Sequence, residues 1–175
     1  MSFRTLGFFD ASRFTAQMLL AHSGEFEDSP DPAHHAIASL WLRKHGTDTE
    51  REVAWIGARN LLTRFANEAS VAFNGVPPAL DTVEVRRTDP GASTDWSIPS
   101  FDEDYASRLF RVQLELIPSP GFMLLTGGQQ IPMMVGAATW VDWRVIGSEI
   151  NVGPVPNYRV IADFLSPDSE ARVLN

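Results

Sequence analysis

The sequence contains no cysteine, and this absence excludes several kinds of chemistry at once. Disulfides, thiolate metal ligands and cysteine nucleophiles all require a thiol. The chain does not need covalent cross-links, because 175 residues are enough to bury a sizeable core. A cysteine-free domain of this size fits the reducing cytoplasm. We therefore predict a cytoplasmic protein, or one within a particle assembled in the cytoplasm.

Long apolar runs and basic residues are also scarce. Charged residues interrupt every hydrophobic stretch before it reaches the ~18 residues that a membrane span requires. The N-terminal segment does not have the pattern of a secretory signal. The formal net charge is −8, and Lys44 is the only lysine. Because phosphate binding depends on Lys and Arg, we expect neither direct nucleic-acid binding nor attachment to a membrane.

The motifs of common cofactor and catalytic sites are missing as well. The sequence has no G-x-S-x-G elbow and no glycine-rich phosphate loop. Its four histidines are His22, His34, His35 and His45. A histidine clamp on a helix needs i, i+4 spacing, whereas His34 and His35 are adjacent and would diverge by about 100°. We therefore predict no metal site and no cofactor.

The first part of the chain carries signals typical of helices. Asp10 is placed to cap a first helix, and an Asp-Pro pair opens a second helix predicted over residues 31–44. Thr49 and Glu52 have the spacing of a capping box at the start of a third helix. Residues 8–75 are therefore predicted to be helical, and the second and third helices are predicted to form a hairpin.

The second part of the chain alternates apolar and polar residues with a period of two, which is typical of strands. The clearest runs are Arg108–Ile117, Met133–Ile146 and Tyr158–Leu165. Since no helix pattern separates them, the sheet over residues 80–175 should be mostly antiparallel. The predicted fold is one α+β domain spanning residues 1–175. In it, N-terminal helices, including the hairpin, pack on a curved antiparallel β-sheet formed by the C-terminal half.

Three charged residues are candidates for catalysis. Asp142 and Arg144 share one face of the predicted strand Met133–Ile146, and Glu149 follows just beyond it. In a cavity between helices and a curved sheet, such groups act as general acids or bases. They fit better the solvated face of an ordinary antiparallel strand, which is the favoured interpretation. The main interpretation therefore assigns no catalytic residue, and these three are the candidates should the chain be an enzyme.

A predicted loop over residues 89–105 is the most unusual segment. It is rich in Pro, Gly, Ser and Asp, yet it carries several apolar side chains. Long loops of this kind either bind something or fold back on their own domain, and both interpretations stay open. Exposed aromatic residues anchor many protein interfaces. The candidate interaction residues are Trp96, Ile98, Phe101 and Tyr105 in this segment, together with Trp140 on the supposed wet face of its strand.

These observations favour a non-catalytic structural or assembly subunit over an enzyme. Such a protein would contact other protein subunits in a homo- or hetero-oligomer, and a virus or phage particle is one setting for it. The alternative is a small-molecule-binding protein or enzyme with a pocket between the helices and the curved sheet. A second alternative is an acidic inhibitor or immunity-type protein that binds a basic partner.

Overall fold

The fold is known from a computed structural model. It describes residues 3–12, 15–16, 26–30, 34–43, 63–64, 67, 78–97 and 102–166. Strands dominate the described chain. They are β1 Phe3–Phe8, β2 Glu27–Asp28, β3 His34–Arg43, β4 Ala79–Thr94, β5 Leu109–Ile117, β6 Phe122–Thr126, β7 Gln129–Ile131, β8 Ala137–Val141, β9 Gly147–Asn151 and β10 Asn157–Leu165. A helix, α1, spans Glu103–Arg108.

The strands form a single sheet that curls into a nearly closed, jelly-roll-like barrel. Its order is β1-β8-β5-β10-β4-β9-β6-β7, with β3 paired to β4 and β2 paired to β3. Every pairing between these described strands is antiparallel. The long strand β4 holds the sheet together, because it pairs with β10 along its first part and with β3 and β9 further on. In the part of the chain that the structure describes, no helix is long and apolar enough to cross a membrane.

Alternation along each strand separates the hydrophobic core from the barrel interior. In β5 the four apolar residues of one face are buried in the main core, whereas Arg111, Gln113 and Glu115 occupy the other face. The same division holds in β3, β4 and β10, since successive side chains of a strand point to opposite faces. The main core therefore lies on the outer face of the sheet. The four strands β3, β4, β5 and β10 contribute these apolar residues to the main core: Leu40, Leu42, Val83, Val85, Phe110, Val112, Leu114, Leu116, Val160, Ala162 and Phe164.

The predicted helical hairpin was wrong, and with it the α+β fold class. The second predicted helix, residues 31–44, is occupied by β3. Ala38, Leu40 and Leu42 are completely buried while Ser39 lies on the opposite face, and this period of two outweighs the local Asp-Pro start signal. Most of the third predicted helix lies outside the described residues. The predicted antiparallel sheet was correct, but it starts at Phe3 rather than in the C-terminal half.

Two further boundaries differ from prediction. The supposed strand Met133–Ile146 is reduced to β8, which follows Gly136. Gly136 has φ 76°, and a Cβ there would lie 2.4 Å from the carbonyl oxygen of Phe9, so the chain turns at this point. The supposed loop 89–105 is also largely ordered structure, because β4 continues to Thr94 and α1 begins at Glu103. Antiparallel pairing with β3 and β9 extends β4 beyond its Pro and Gly residues.

Candidate functional site

The barrel contains a cavity of about 750 Å³ that opens to solvent; inward-facing residues of β3, β4, β5 and β10 line one side of it, and residues of β6, β8, β9 and the connecting segments line the rest. The cavity is polar because the polar face of each of these strands points inward. Cross-strand register arranges these side chains in rows. Thr82 pairs with Asp163, which pairs with Arg111, and Ser39 pairs with Arg86, which pairs with Arg159. Charged groups from distant parts of the chain are thereby brought into contact.

The first buried ion pair joins β5 to β10. Arg111 donates two hydrogen bonds to the Asp163 carboxylate, from Nε at 2.7 Å and from Nη2 at 2.8 Å. Thr82 donates a third bond to Asp163 at 3.1 Å. Burial disfavours the charged guanidinium, but the Asp163 carboxylate outweighs it and raises the pKa of Arg111. This fork fixes both side chains against one wall of the cavity.

The second buried ion pair lies on β4. Arg86 donates to Glu84 from Nε at 2.7 Å and from Nη2 at 3.0 Å, and Ser39 donates to the same carboxylate at 2.6 Å. Burial opposes the ionised form of Glu84, yet the charge and hydrogen bonds of Arg86 outweigh it and lower the pKa of Glu84. Both guanidiniums that line the cavity are thus engaged by carboxylates of the protein itself.

A third charged cluster forms the floor of the cavity. Glu149 lines it and accepts hydrogen bonds from Arg159 and, at 3.2 Å, from Thr88. Arg159 is completely buried, with its guanidinium carbon 4.7 Å from the centre of the Phe122 ring. Burial, reinforced by the neighbouring charge of Arg86, lowers the pKa of Arg159 to about 9. Arg159 therefore depends on its carboxylate neighbours to stay charged.

Glu115 lies deeper, opposite Arg159 in the β5–β10 register. Its side chain is completely buried and accepts a hydrogen bond from Asn157 Nδ2. Burial raises the pKa of Glu115 to about 7, although Arg159 and Asn157 both favour the carboxylate. This carboxyl group consequently titrates near neutral pH, unlike an ordinary glutamate.

The mouth of the cavity is acidic and partly aromatic. Glu27, Asp28 and Asp102 line it and are exposed to solvent. Tyr105 donates a hydrogen bond to Asp81 at 2.7 Å, and burial together with this bond raises the pKa of its phenol. The rings of two tryptophans complete the wall. They are Trp41 and Trp143.

Two of the three predicted catalytic candidates line the cavity. Asp142 is at its edge and Glu149 at its floor, whereas Arg144 is largely exposed and forks onto Asp142 at 2.9 and 3.1 Å. The buried pairs Glu84–Arg86 and Arg111–Asp163 were missed. The signal was present, since these residues occupy the polar positions of period-two strands, but that face was taken for the solvated one.

The predicted interaction residues do not form one surface. Trp96 is 51% exposed, and its role in binding stays a prediction. Tyr105 faces the cavity instead. Trp140 is only 5% exposed and stacks on Phe110 with ring centres 6.2 Å apart, so the prediction of a wet position was wrong. All five residues of β8 are buried, so neither face of this strand is wet. Ile98 and Phe101 lie outside the described residues.

Comparison with known proteins identifies the fold. The sequence matches no family model and no curated protein. A 2OG-Fe(II) oxygenase-family oxidoreductase from Burkholderia pseudomallei superposes with a TM-score of 0.68 at 13% identity, over 90% of this chain and 80% of that one. The α-ketoglutarate-dependent epimerase SnoN from nogalamycin biosynthesis gives 0.67 at 16% identity, over 94% and 78%. A prolyl hydroxylase from Trichoplax adhaerens gives 0.65 at 15% identity, over 97% and 86%. The chain has the fold of 2OG-Fe(II) oxygenases.

These likenesses correct the predicted function. The structural or assembly subunit, its virus-particle setting and the preference against an enzyme were inferred from a missing catalytic signature. The similar solved structures that share this fold, however, are enzymes. The alternative in the sequence analysis, a small-molecule-binding protein or enzyme with a pocket in a curved sheet, agrees better with both the cavity and the comparisons.

The described residues do not fit the iron that this fold family implies. Non-haem Fe(II) oxygenases hold the metal with two histidines and one carboxylate. None of the described residues that line the cavity is a histidine, and the same part of the chain contains no group of three His, Asp or Glu side chains suited to a metal. An anionic cosubstrate such as α-ketoglutarate fits poorly too, because the carboxylates of Glu84 and Asp163 already engage Arg86 and Arg111.

Proposed function

We propose that this chain binds a small organic molecule inside the barrel and acts on it there, as a small-molecule-binding protein or enzyme. The observation that carries the proposal is the cavity of about 750 Å³, whose wall combines apolar side chains with charged and other polar ones. Sites for small molecules are typically concave, about 300–1,000 Å³ in volume, and combine apolar walls with a few fixed polar groups. The enzymes that share this fold support the same conclusion.

In this proposal the cavity is organised before the ligand enters. The Glu84–Arg86 and Arg111–Asp163 forks hold two buried carboxylates and two partly buried guanidiniums in one geometry, since bidentate pairs constrain both partners. Pre-ordered groups of this kind orient a ligand without having to reorganise. The forks therefore serve as fixed walls rather than as mobile charges.

The proposed contacts with the ligand come from carboxylates. Asp142 and Glu149 line the cavity and are the acid–base candidates, while Arg144 positions Asp142 through its fork. Any reaction would use these carboxylates rather than a bound iron, because the described lining lacks the histidines of an oxygenase centre. Accordingly, adding Fe(II) should not increase the affinity of the chain for 2-oxoglutarate in calorimetric titrations.

A binding screen with a blocked cavity tests the proposal. Small amines, alcohols, sugars and carboxylic acids are screened by thermal shift and ligand-detected NMR. Hits should lose binding in Val145→Trp, since Val145 lines the cavity and the larger ring fills it. The matched control Val152→Trp adds the same ring at a surface residue that is 66% exposed and should keep binding. The proposal fails if no compound binds, or if every hit binds the blocked variant equally well.

A further inference from the structure

The charges that line the cavity are strongly unbalanced. Among the described residues, seven carboxylates and two guanidiniums line it. Two of the carboxylates, Asp142 and Glu149, pair with Arg144 and Arg159, which lie outside the lining. Three others, Glu27, Asp28 and Asp102, are at the exposed mouth. A cleft lined by one sign of charge raises the local concentration of ions of the opposite sign. The approach to this cavity consequently favours cations over anions.

The two guanidiniums do not reverse this preference. Arg86 forks onto Glu84 and Arg111 forks onto Asp163, so each positive charge is compensated within the wall. A negatively charged ligand would have to break one of these forks and leave a buried carboxylate unpaired. Losing one partner of a buried ion pair is strongly unfavourable, because it leaves an uncompensated charge away from water.

A buried acceptor provides an independent indication of the ligand. Gln113 lines the cavity and is only 6% exposed, yet its Oε1 has no hydrogen-bond partner among the described residues. A buried carbonyl oxygen without a partner is unfavourable, because it has lost its hydrogen bonds to water and gained none in the protein. A ligand that donates an N–H or O–H to this oxygen would remove that penalty. The cavity therefore offers an acceptor together with excess negative charge.

Aromatic side chains complete the chemistry. The rings of Trp41 and Trp143 contribute to the wall of the same cavity. Tryptophan is the best of the aromatic side chains at attracting a cation to its ring, and aromatic groups are typical of quaternary ammonium recognition. A purely anionic ligand gains nothing from these rings.

We infer that the ligand of this cavity is an organic cation, a compact molecule with an ammonium or quaternary ammonium group and at least one hydrogen-bond donor. This inference rests on the small-molecule site proposed above and specifies its ligand class. The positive group lies among the carboxylates and tryptophan rings, and the donor binds Gln113. The selectivity is opposite to that expected for a carboxylic-acid cosubstrate.

Three probes of nearly equal shape and different charge test the inference. Choline carries a quaternary ammonium and a hydroxyl group, 3,3-dimethylbutan-1-ol replaces its nitrogen by carbon, and 3,3-dimethylbutanoate is the anionic counterpart. Binding of each to the full chain is measured by isothermal titration calorimetry at low and moderate salt. We expect choline to bind about tenfold more tightly than the neutral alcohol, and the anion to bind weakest.

Variants connect the selectivity to the cavity. Asp28→Asn removes one negative charge from the exposed mouth and should weaken choline binding several-fold while leaving the alcohol unchanged. Glu103→Gln is the matched control, because it removes an exposed charge from α1 that does not line the cavity. The Val145→Trp variant should abolish binding of all three probes.

The outcomes separate this inference from the proposed function. If the alcohol or the anion binds most tightly, and this binding is lost in Val145→Trp, the inference of a cationic ligand is wrong. The proposal of a small-molecule site would still hold. Absence of choline binding, while the wider screen yields neutral or anionic cavity ligands, would do the same. Choline binding that survives in Val145→Trp would contradict the assignment of the cation to this cavity.

Discussion

Glu115 offers a direct test of the buried charge network, because its carboxyl group titrates near neutral pH in the folded protein. Burial raises the pKa of Glu115 from an ordinary value of 4.5 to about 7. The substitution Glu115→Gln removes this titration while keeping the side-chain shape. Its amide oxygen can still accept the hydrogen bond from Asn157. The expected effect is therefore a changed pH dependence of stability.

The sign follows from which state holds the proton. Below pH 4.5 Glu115 is protonated in both states, so it adds no pH dependence. Between pH 4.5 and about 7 the unfolded chain loses the proton and the folded chain retains it, so the wild type loses stability as pH rises. Above this interval both states are ionised. At about 1.4 kcal/mol for each pH unit, the total loss is about 3 kcal/mol.

Urea unfolding followed by tryptophan fluorescence measures this effect between pH 4 and pH 8. The free energy of unfolding of Glu115→Gln, relative to the wild type, should rise by about 3 kcal/mol across the interval. The control Glu103→Gln removes an exposed carboxylate and should stay within about 0.5 kcal/mol of the wild type. A pH-independent difference for Glu115→Gln, or one that falls with pH, would refute the reasoning.

Three other substitutions test the structure by urea unfolding. Arg111→Met leaves the buried Asp163 carboxylate without its cation and should lower the free energy of unfolding by about 3–5 kcal/mol. Adding Asp163→Asn should recover most of this loss. Equal losses in the single and double variants would contradict the ion pair. Trp140→Ala should lower the free energy of unfolding by about 3–5 kcal/mol, whereas Trp96→Ala should change it by less than about 0.5 kcal/mol. A larger loss in Trp96→Ala than in Trp140→Ala would contradict the burial of Trp140. Asp102→Ala removes a side chain that accepts hydrogen bonds from two backbone N–H groups of α1, and it should lower the free energy of unfolding by about 1 kcal/mol. An unchanged free energy of unfolding would contradict this helix cap.

Local signals predicted the strands better than the helices. The alternation in β5 and β10 was visible in the sequence, and both strands are present nearly as predicted. The segment 31–44 failed because its Asp-Pro start signal is local, whereas pairing of β3 with β4 involves residues about fifty positions away. Non-local pairing overrides a weak local preference whenever it buries more apolar surface.

The residues of the candidate site were also predicted only in part. Glu149 and Asp142 were identified because charged residues in and just after a supposed strand are unusual enough to note. Arg86 and Arg111 looked like ordinary residues of a solvated face, and nothing local distinguishes an inward polar face from an outward one.

The sequence by itself determined that the chain forms strands with one apolar and one polar face, because a period of two is a local property. It also determined the excess of acid and the absence of thiol chemistry. Only the tertiary structure decided that the polar faces turn inward. A sheet that closes into a barrel can turn either its apolar or its polar face inward. In this protein the apolar face packs on the outside, and the charged groups of β4, β5 and β10 meet inside the barrel. That choice depends on contacts between residues far apart in the chain, which no window of sequence contains.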